Sequence, residues 1–240
     1  IPKRDWSSDV CSSDLMSDVA IVGGGLAGIA AAVRLAEAGF RPIVIESRRK
    51  LGGRATSFVD PRSGAVLDNC QHVVMGCCTN LLDLYRRLGV LERIQWHACT
   101  HWANPPHEPD TLRPGRLPAP AHFTFAFLRM RLLSTGDKVR IGRAMWRLMR
   151  MGLAGRERWR GRTFVEFLHE TGQGASAIER FWEPVVVSAC NLPCDRVDAP
   201  FAMQVFQEGF LGHRFASAMG LSEVPLLQLG TKMRAGKGAT

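Results

Sequence analysis

The residues with the most specific chemical signature are three glycines near the start of the chain. Gly23, Gly25 and Gly28 stand in the order G-x-G-x-x-G. In this spacing the first glycine allows a tight turn, the second lets the backbone approach a pyrophosphate, and the third lets a helix pack closely on a strand. A helix N-terminus then offers free N–H groups and a positive dipole end to the phosphates. The predicted phosphate-contact residues are Gly23, Gly24, Gly25, Leu26, Ala27 and Gly28.

An acidic residue follows this pattern at the distance expected for ribose recognition. Glu46 lies 18 residues after Gly28, where a carboxylate can accept hydrogen bonds from both ribose hydroxyls. The same carboxylate would repel a 2′-phosphate because the two charges have the same sign. The chain is therefore expected to bind NAD or FAD rather than NADP.

The flanking residues predict the strands and the helix that hold these groups. Residues 19–22 form a short apolar run that is typical of a buried strand, and residues 43–45 predict a second strand that ends at Glu46. The alanine-rich residues 29–38 predict a helix between them, closed by Gly39. This strand–turn–helix–strand order is the context that makes the glycine pattern a specific signal.

A second glycine motif distinguishes FAD from NAD. Gly52, Gly53 and Arg54 follow Glu46 closely; the glycine pair lets the backbone come near the same dinucleotide, and the arginine adds a cation. With this motif the sequence resembles the flavoprotein superfamily of amine oxidases and phytoene desaturases, whose pattern is the glycine fingerprint, then the acid, then GG-R. The resemblance implies FAD, because a dehydrogenase that uses only NAD lacks the second motif.

The stretch Leu67–Cys78 concentrates polar and sulfur-containing side chains. Three interpretations are open: a metal site, buried structural thiols, and a polar lining of a flavin or substrate pocket by Asp68, Gln71 and His72. The spacing matches no usual zinc pattern, and adjacent cysteines rarely ligate one ion well, so no metal is predicted. The apolar periodicity of residues 79–88 predicts a helix directly after this stretch.

Further residues narrow the resemblance to the squalene-associated FAD-dependent desaturases, the bacterial hydroxysqualene dehydroxylases. The residues that carry it are Asp68-Asn69-x-Gln71-His72-Val73, Gly76-Cys77, Phe181-Trp182-Glu183-Pro184, Ala189, Asn191 and Pro193. The likeness runs in order from Met16 to about Phe210. Two positions depart from the family, which usually has glycine where Cys70 stands and tyrosine where Cys78 stands.

This resemblance implies an FAD-dependent oxidoreductase that converts hydroxysqualene to squalene in squalene and hopanoid biosynthesis. In that reaction an acid helps the hydroxyl to leave as water and the reduced flavin delivers hydride; Asp68 or His72 is the implied proton donor. A carotenoid (phytoene-type) desaturase or an amine oxidase of the same superfamily is one alternative, although a chain with a single tyrosine offers little for the aromatic cage expected of an amine oxidase. A truncated, non-catalytic nucleotide-binding fragment is the other.

The middle of the chain is strongly basic. Between Arg129 and Arg162 there are eleven lysines and arginines and only two acids, and the whole chain carries a formal charge of +9. Residues 138–160 predict a basic amphipathic helix with methionine and Trp146 opposite the arginines, which suits an anionic membrane surface. A solvated basic face over an ordinary core is the other interpretation, and no nucleic-acid partner is predicted because no motif supports one.

The predicted fold class is therefore α/β, with a Rossmann-like FAD-binding domain, a mainly helical substrate domain and an incomplete C-terminus. Residues 1–15 resemble a translated sequencing adapter and are set aside, residues 16–76 are assigned to FAD binding, residues 77–210 to an isoprenoid lipid substrate and membrane contact, and residues 211–240 to a partial return to the FAD domain or an aberrant tail. The chain alone is not expected to hold FAD tightly.

Three smaller expectations complete the sequence-based description. Residues 96–122, rich in proline, histidine and tryptophan, are predicted to form a loop. The large apolar residues between 164 and 210 are expected to form a core, with an apolar tunnel as the alternative. The seven cysteines show no secreted disulfide pattern, so the thiols are expected to be reduced and the protein cytoplasmic, with peripheral contact to the inner membrane face.

Overall fold

The computed structural model describes residues 18–69 and 73–224. Within these ranges the chain forms two units: the first contains residues 18–69, 84–93 and 222–224, and the second contains residues 73–83 and 94–221. The predictions made for residues 1–15, for Cys70, Gln71 and His72, and for the residues after 224 lie outside the described residues.

The first unit begins with a parallel βαβ element. Strand β1 (Asp18–Val22) is followed by helix α1 (Leu26–Glu37) and strand β2 (Arg41–Ile45), and the two strands pair in parallel. The predicted order is confirmed, but α1 begins three residues earlier than the predicted 29–38 because Gly25 is already its N-cap. Gly39 follows the helix with φ +85°, the left-handed conformation that glycine adopts without strain.

A short hairpin completes the first unit. Strands β3 (Ser57–Val59) and β4 (Val66–Asp68) pair antiparallel, with Ser57 opposite Asp68. The turn between them is held by Asp60, whose carboxylate accepts hydrogen bonds from the backbone N–H and the hydroxyl of Ser63 at 3.0 and 2.5 Å. The side chain of an aspartate at the start of a turn stabilises it by bonding groups two or three residues ahead.

The second unit contains a three-stranded sheet and a hairpin. Strand β5 (Val73–Met75) precedes helix α2 (Thr79–Arg87), which passes into the first unit after Asp83 and confirms the helix predicted over 79–88. Strands β6 (Ile94–His97), β7 (Thr100–Asn104) and β8 (His107–Leu112) follow, and strand β9 (Met219–Ser222) lies between β5 and β6.

The loop predicted for residues 96–122 is therefore wrong where β6, β7 and β8 lie, chiefly over residues 100–112. Strands β7 and β8 form an antiparallel hairpin across these residues. Trp102 and Asn104 on β7 and Asp110 and Leu112 on β8 are buried, which is the alternation of a half-buried sheet. The prolines at 105 and 106 do not prevent strand pairing, because they occupy the hairpin turn, where no ladder hydrogen bond is lost.

Helices form the rest of the second unit. These are α3 (Thr124–Arg129), α4 (Thr135–Glu157), α5 (Phe164–Glu170), α6 (Ala175–Ala177), α7 (Glu183–Cys190) and α8 (Ala199–Gln204), with π-helical turns at Ile178–Trp182 and Val205–Phe210 and a 3₁₀ turn at Ala121–Phe123. A further 3₁₀ turn, at Leu91–Arg93, belongs to the first unit. None of the helices of the described residues is long and apolar enough to cross a membrane.

An aromatic core holds these helices together. Phe164, Phe181, Trp182 and Phe206 are almost completely buried, and their ring centroids lie between 4.7 and 6.4 Å apart. The indole N–H of Trp182 donates to the Gln173 side-chain oxygen at 3.0 Å, which satisfies the one polar atom of that ring. The core expectation for residues 164–210 is confirmed at these positions; Phe201 is an exception, because 55% of it is exposed.

Helix α4 differs from its predicted pattern in one respect. Its core face is formed by Ile141, Ala144 and Leu148, which are completely buried. Trp146 was expected opposite the arginines, yet it is exposed and lies among them, because positions 143, 146 and 150 share one helical face. A bend at Gly152, with φ +64° and ψ −173°, divides the helix.

Candidate functional site

The loop between β1 and α1 is shaped by two glycines that the fold itself requires. Gly23 has φ +100°, and its N–H donates to the carbonyl of Ile45 at 2.8 Å, which ties the loop to β2. A Cβ on Gly28 would lie 1.9 Å from the carbonyl oxygen of Gly23, so any side chain would force α1 away from the loop. These are the tight-turn and close-packing roles predicted for the two positions.

Gly25 is different, because nothing in the chain itself requires a glycine there. Its φ of −74° is open to any residue, and an added Cβ would meet no described atom within 4 Å. The space beside it lies at the N-terminus of α1, where Gly25 offers no side-chain cap and the first turn contains no acid. The first N–H groups of the helix and its positive dipole end are thus left for an anion.

Glu46 stands at the end of β2 and is held towards the same loop. Its Oε2 accepts the N–H of Gly24 at 2.7 Å, and its Oε1 accepts the N–H of Arg48 at 2.9 Å and the hydroxyl of Ser47 at 3.1 Å. The backbone N–H groups of Arg48 and Gly24 hold the pKa of Glu46 below its usual value. The carboxylate is therefore ionised at neutral pH and keeps lone pairs for ribose hydroxyls.

The second glycine motif packs directly on the first. The N–H of Gly52 donates to the carbonyl of Gly24 at 2.7 Å, and a Cβ on Gly53 would lie 3.1 Å from the Cα of Gly25. Both residues have positive φ, +109° and +62°, so the turn depends on glycine. Arg54 is exposed at the end of this turn. The structure thus brings the two predicted motifs together.

Asn69, one of the residues that carry the family resemblance, has a structural role in this site that was not predicted. Its side-chain N–H donates to the carbonyl of Arg54 at 3.2 Å, and its backbone N–H donates to the carbonyl of Thr56 at 2.8 Å. Asn69 therefore fixes the end of β4 against the GG-R turn. Its place beside Asp68 was the only signal of this, since a side-chain contact with a backbone carbonyl leaves no sequence pattern.

Of the two predicted proton donors, only Asp68 is described. It ends β4, and its Oδ1 accepts the hydroxyl of the buried Ser57 at 2.5 Å. Asp68 belongs to the same unit as the glycine loop and is next to the residue that holds the GG-R turn. Its role, like that of His72, stays a prediction.

The interpretation of the cysteines in the stretch 67–78 as buried structural thiols is wrong for Cys78. Cys77 is half-buried, but Cys78 is exposed at the start of α2. A hydrogen bond from Cys77 lowers the pKa of Cys78 to about 6 and raises the pKa of Cys77. No group of three or more His, Cys, Asp or Glu residues within 18–69 and 73–224 could hold a metal ion.

The second unit contains a buried histidine that the sequence did not single out. His122 is 1% exposed, and neither ring nitrogen has a hydrogen-bond partner among the residues described. Burial, together with the nearby Arg214 and His213, lowers the pKa of His122, so the imidazole is neutral at pH 7. A buried neutral imidazole of this kind offers one donor and one acceptor to a water or a ligand.

The comparisons with known proteins bear directly on this site. A family described as flavin-containing amine oxidoreductases matches residues 26–226. The chain belongs to the flavin-containing amine oxidoreductase family. The flavin of this family confirms the predicted cofactor, FAD, and the residues around the glycine loop fit its dinucleotide: an open Gly25, an uncapped helix end and an ionised Glu46.

The chain is similar to a phytoene desaturase and to a zeta-carotene desaturase. The chain is 33% identical over 160 residues to the 15-cis-phytoene desaturase of Narcissus pseudonarcissus, covering 65% of the chain and 28% of that protein. It is 32% identical over 199 residues to the zeta-carotene desaturase of Capsicum annuum, covering 78% of the chain and 34% of that protein. The chain thus spans about a third of the length of these curated relatives.

Solved structures support the fold. A triple mutant of putrescine oxidase aligns with 91% of the chain and 48% of its own length, with a TM-score of 0.63 and 20% identity. A fatty acid isomerase from P. acnes that produces CLA aligns with 93% of the chain and 50% of its own length, with a TM-score of 0.57 and 16% identity. The predicted α/β class with a Rossmann-like flavin-binding part is confirmed.

Proposed function

We propose that the protein is an FAD-dependent oxidoreductase that acts on a long apolar isoprenoid and converts hydroxysqualene to squalene. The observation that carries the flavin part is the open space at Gly25, which lies between an uncapped helix end and the ionised Glu46. The motif around Asp68 and Asn69, similar to that of the hydroxysqualene dehydroxylases, supports the substrate. Cytoplasmic location at the inner membrane face is part of this proposal.

The residues of this chain would perform the binding part of the reaction. When bound, FAD supplies the hydride chemistry. The N-terminus of α1 binds and orients the pyrophosphate, and Glu46 binds the ribose. The GG-R turn, fixed by Asn69, keeps the backbone of Gly53 close to Gly25. Asp68 or His72 holds the proton that the leaving hydroxyl takes up as it becomes water.

Carotenoid desaturation is the second candidate, and the similarity of the chain to phytoene and zeta-carotene desaturases favours it. The two reactions transfer electrons in opposite directions. Replacing a hydroxyl by hydrogen consumes two electrons and two protons and releases water, so it needs a reductant. Introducing a double bond releases two electrons and two protons, so it needs an electron acceptor.

This difference defines the test. A full-length relative that shares the residues of this site is incubated without oxygen with hydroxysqualene and a reductant, or with phytoene and a quinone, and the products are read by mass spectrometry. We expect a product lacking one oxygen atom in the first reaction only. A product lacking two hydrogens in the second reaction, with no squalene in the first, would establish the desaturase instead.

The predicted proton donors can be tested in the same assay. Replacing Asp68 by Asn keeps the shape of the side chain and its contact with Ser57 but removes the acid. We expect the rate to fall by a factor of about 10²–10⁴ if Asp68 supplies the proton, whereas His72→Ala then leaves it unchanged. An unchanged rate in both variants would remove both residues from the mechanism.

A non-catalytic nucleotide-binding fragment remains the third reading of this chain. The flavin absorbance spectrum of the purified chain separates this interpretation from the two catalytic ones. The purified 240-residue chain is mixed with FAD and passed through a desalting column. We expect weak retention of flavin, and a stoichiometric yellow complex would show that the chain alone holds FAD tightly.

A further inference from the structure

The outer face of α4 combines exposed apolar and basic side chains. Val139, Arg143, Trp146 and Arg150 follow one another at intervals of four, three and four residues, so they form one stripe opposite the buried face of the helix. Val139 is 49% exposed and Trp146 is 59% exposed. Leu153, just after the bend at Gly152, is 67% exposed. A basic surface that is merely solvated does not need large apolar side chains at these positions.

The arginines of this face are available to an external anion. Arg143, Arg150 and Arg158 form no ion pair with any of the residues described. Arg147 is only loosely paired, because its nearest contact with the Glu170 carboxylate is 3.6 Å. Unpaired cations in such number repel one another and favour an anionic partner.

The bend at Gly152 opens a cleft beside the stripe. It has a volume of about 580 Å³ and is lined by Arg147, Arg150 and Arg158, with Trp146 and Trp159 among its walls. The guanidinium of Arg150 lies 5.9 Å from the ring centre of Trp146, and that of Arg147 lies 5.8 Å from the ring centre of Trp159. Stacking of this kind holds guanidinium groups in place without neutralising their charge.

We propose that the outer face of α4 docks on an anionic phospholipid bilayer and that the cleft at Gly152 binds a lipid phosphate. Trp146 and Leu153 enter the headgroup layer, since tryptophan favours the interface and leucine the acyl chains. Arg143 and Arg150 then lie at the level of the phosphates, and Arg147, Arg150 and Arg158 surround one of them with planar donors. This deepens the proposed function, because an isoprenoid lipid substrate resides in a membrane.

The test is co-sedimentation of the full chain with phosphatidylcholine vesicles that contain, or lack, phosphatidylglycerol. We expect binding only to the anionic vesicles, weakening as salt is raised, with a blue shift of tryptophan fluorescence. Arg143→Glu together with Arg150→Glu should weaken binding by at least roughly 30-fold, as expected for the loss of two cations at an anionic surface. Trp146→Ala should weaken it by about tenfold.

The matched control changes the charge equally elsewhere. Arg62 and Arg196 are exposed and form no ion pair within the described chain, so Arg62→Glu together with Arg196→Glu should bind nearly as the parent does. Arg158 lines the cleft but is not part of the stripe. Arg158→Gln therefore tests the cleft, and Arg196→Gln is its control. A larger loss for Arg158→Gln supports the phosphate site, and equal losses would refute it.

Other outcomes separate this proposal from the proposed function. Vesicle binding with the expected variant pattern, but without conversion of hydroxysqualene by the full-length relative, would leave the membrane surface standing and refute the reaction. No binding to anionic vesicles, equal loss in the Arg62 and Arg196 control, or tighter binding to duplex DNA than to vesicles with the same variant pattern would overturn the membrane surface. Far-ultraviolet circular dichroism confirms that each exposed substitution leaves the fold intact.

Discussion

At the residue scale, the glycines of the nucleotide loop serve two different purposes. Gly23 and Gly28 are required by the chain, one for its positive φ and the other because a side chain would meet the carbonyl of Gly23. Gly25 is not required by the chain, since a methyl group would fit its φ and its surroundings. The sequence pattern treats the three alike, and only the coordinates separate the position reserved for a ligand.

Gly25→Ala should therefore reduce nucleotide binding without reducing stability. The added methyl group points into the space that the pyrophosphate would use, so we expect the affinity for ADP to fall by about tenfold or more, a change of about 1.4 kcal/mol in binding free energy. The midpoint of urea unfolding should stay within error of the parent. Isothermal titration with ADP measures the affinity, and Gly142→Ala, another glycine with open space around it, is the control. Equal ADP affinity in both variants would contradict the proposal that the pyrophosphate lies against the backbone of Gly25.

Cys78 offers a second prediction at this scale. Its pKa of about 6 depends first on the hydrogen bond from Cys77, so the thiolate predominates at pH 7 and reacts with alkylating agents. We expect the rate of alkylation by iodoacetamide to rise with pH around 6 and to level off above pH 7. In Cys77→Ala the rise should move towards pH 8.5, the ordinary thiol range. Mass spectrometry of the modified peptide gives the rate, with the buried Cys194 as an unreactive reference; the same pH profile in both proteins would exclude this coupling.

At the scale of elements, helix α4 shows how one residue sets the shape of a surface. Gly152 has φ +64° with ψ −173°, a combination that essentially only glycine adopts, and the bend there creates the arginine-lined cleft. Gly142, ten residues earlier on the same helix, has no positive φ and open surroundings. Glycine is therefore required by the backbone at position 152, whereas at position 142 it only weakens the helix.

The two alanine substitutions should change stability in opposite directions. Gly152→Ala should lower the free energy of unfolding by about 1–3 kcal/mol because alanine is strained at this φ and ψ. Gly142→Ala should raise it by about 0.5–1 kcal/mol because alanine loses less backbone entropy in a helix. Urea titrations of the three proteins give these values. If Gly152→Ala proves as stable as Gly142→Ala, the bend is not imposed by the glycine.

At the scale of the whole molecule, the two units are stabilised by different kinds of contact. The second unit is organised around buried aromatic rings on α5, the π-helical turns and the hairpin, with Trp102 stacked on Phe181 at 5.3 Å. The first unit exposes apolar strand residues, and Val22 is 86% exposed. Backbone contacts between the glycine motifs and the pairing of β1 with β2 contribute to holding its described part together.

A single core substitution should therefore strongly destabilise the second unit. Phe206 is fully buried against four other aromatic rings, so Phe206→Ala should lower the free energy of unfolding by about 3–5 kcal/mol. Phe201, five residues earlier and 55% exposed, is the matched control, and its alanine variant should lower the free energy of unfolding by only about 1 kcal/mol. Tryptophan fluorescence during urea unfolding reports this unit, because Trp96, Trp102, Trp146, Trp159 and Trp182 all lie in it. Equal effects of the two variants would contradict the assigned core.

Local patterns in the sequence determined the nucleotide-binding half of this protein. The glycine spacing, the acid after β2 and the helix after residue 78 are set by backbone conformation and short-range periodicity, so they could be predicted and agree with the described structure. The hairpin at residues 100–112 could not, because prolines signal loops locally while the burial of Trp102 and Leu112 depends on distant helices.

The tertiary structure alone decided which side chains are left without partners. The link between Asn69 and Arg54, the unpartnered ring of His122 and the exposure of Trp146 among arginines each depend on what the rest of the chain brings near. Periodicity places residues on a helical face but does not say what covers that face. A ligand or a membrane binds where folding leaves hydrogen-bonding groups, charges or apolar surface without partners. Which groups are left in this way depends on how the whole chain packs.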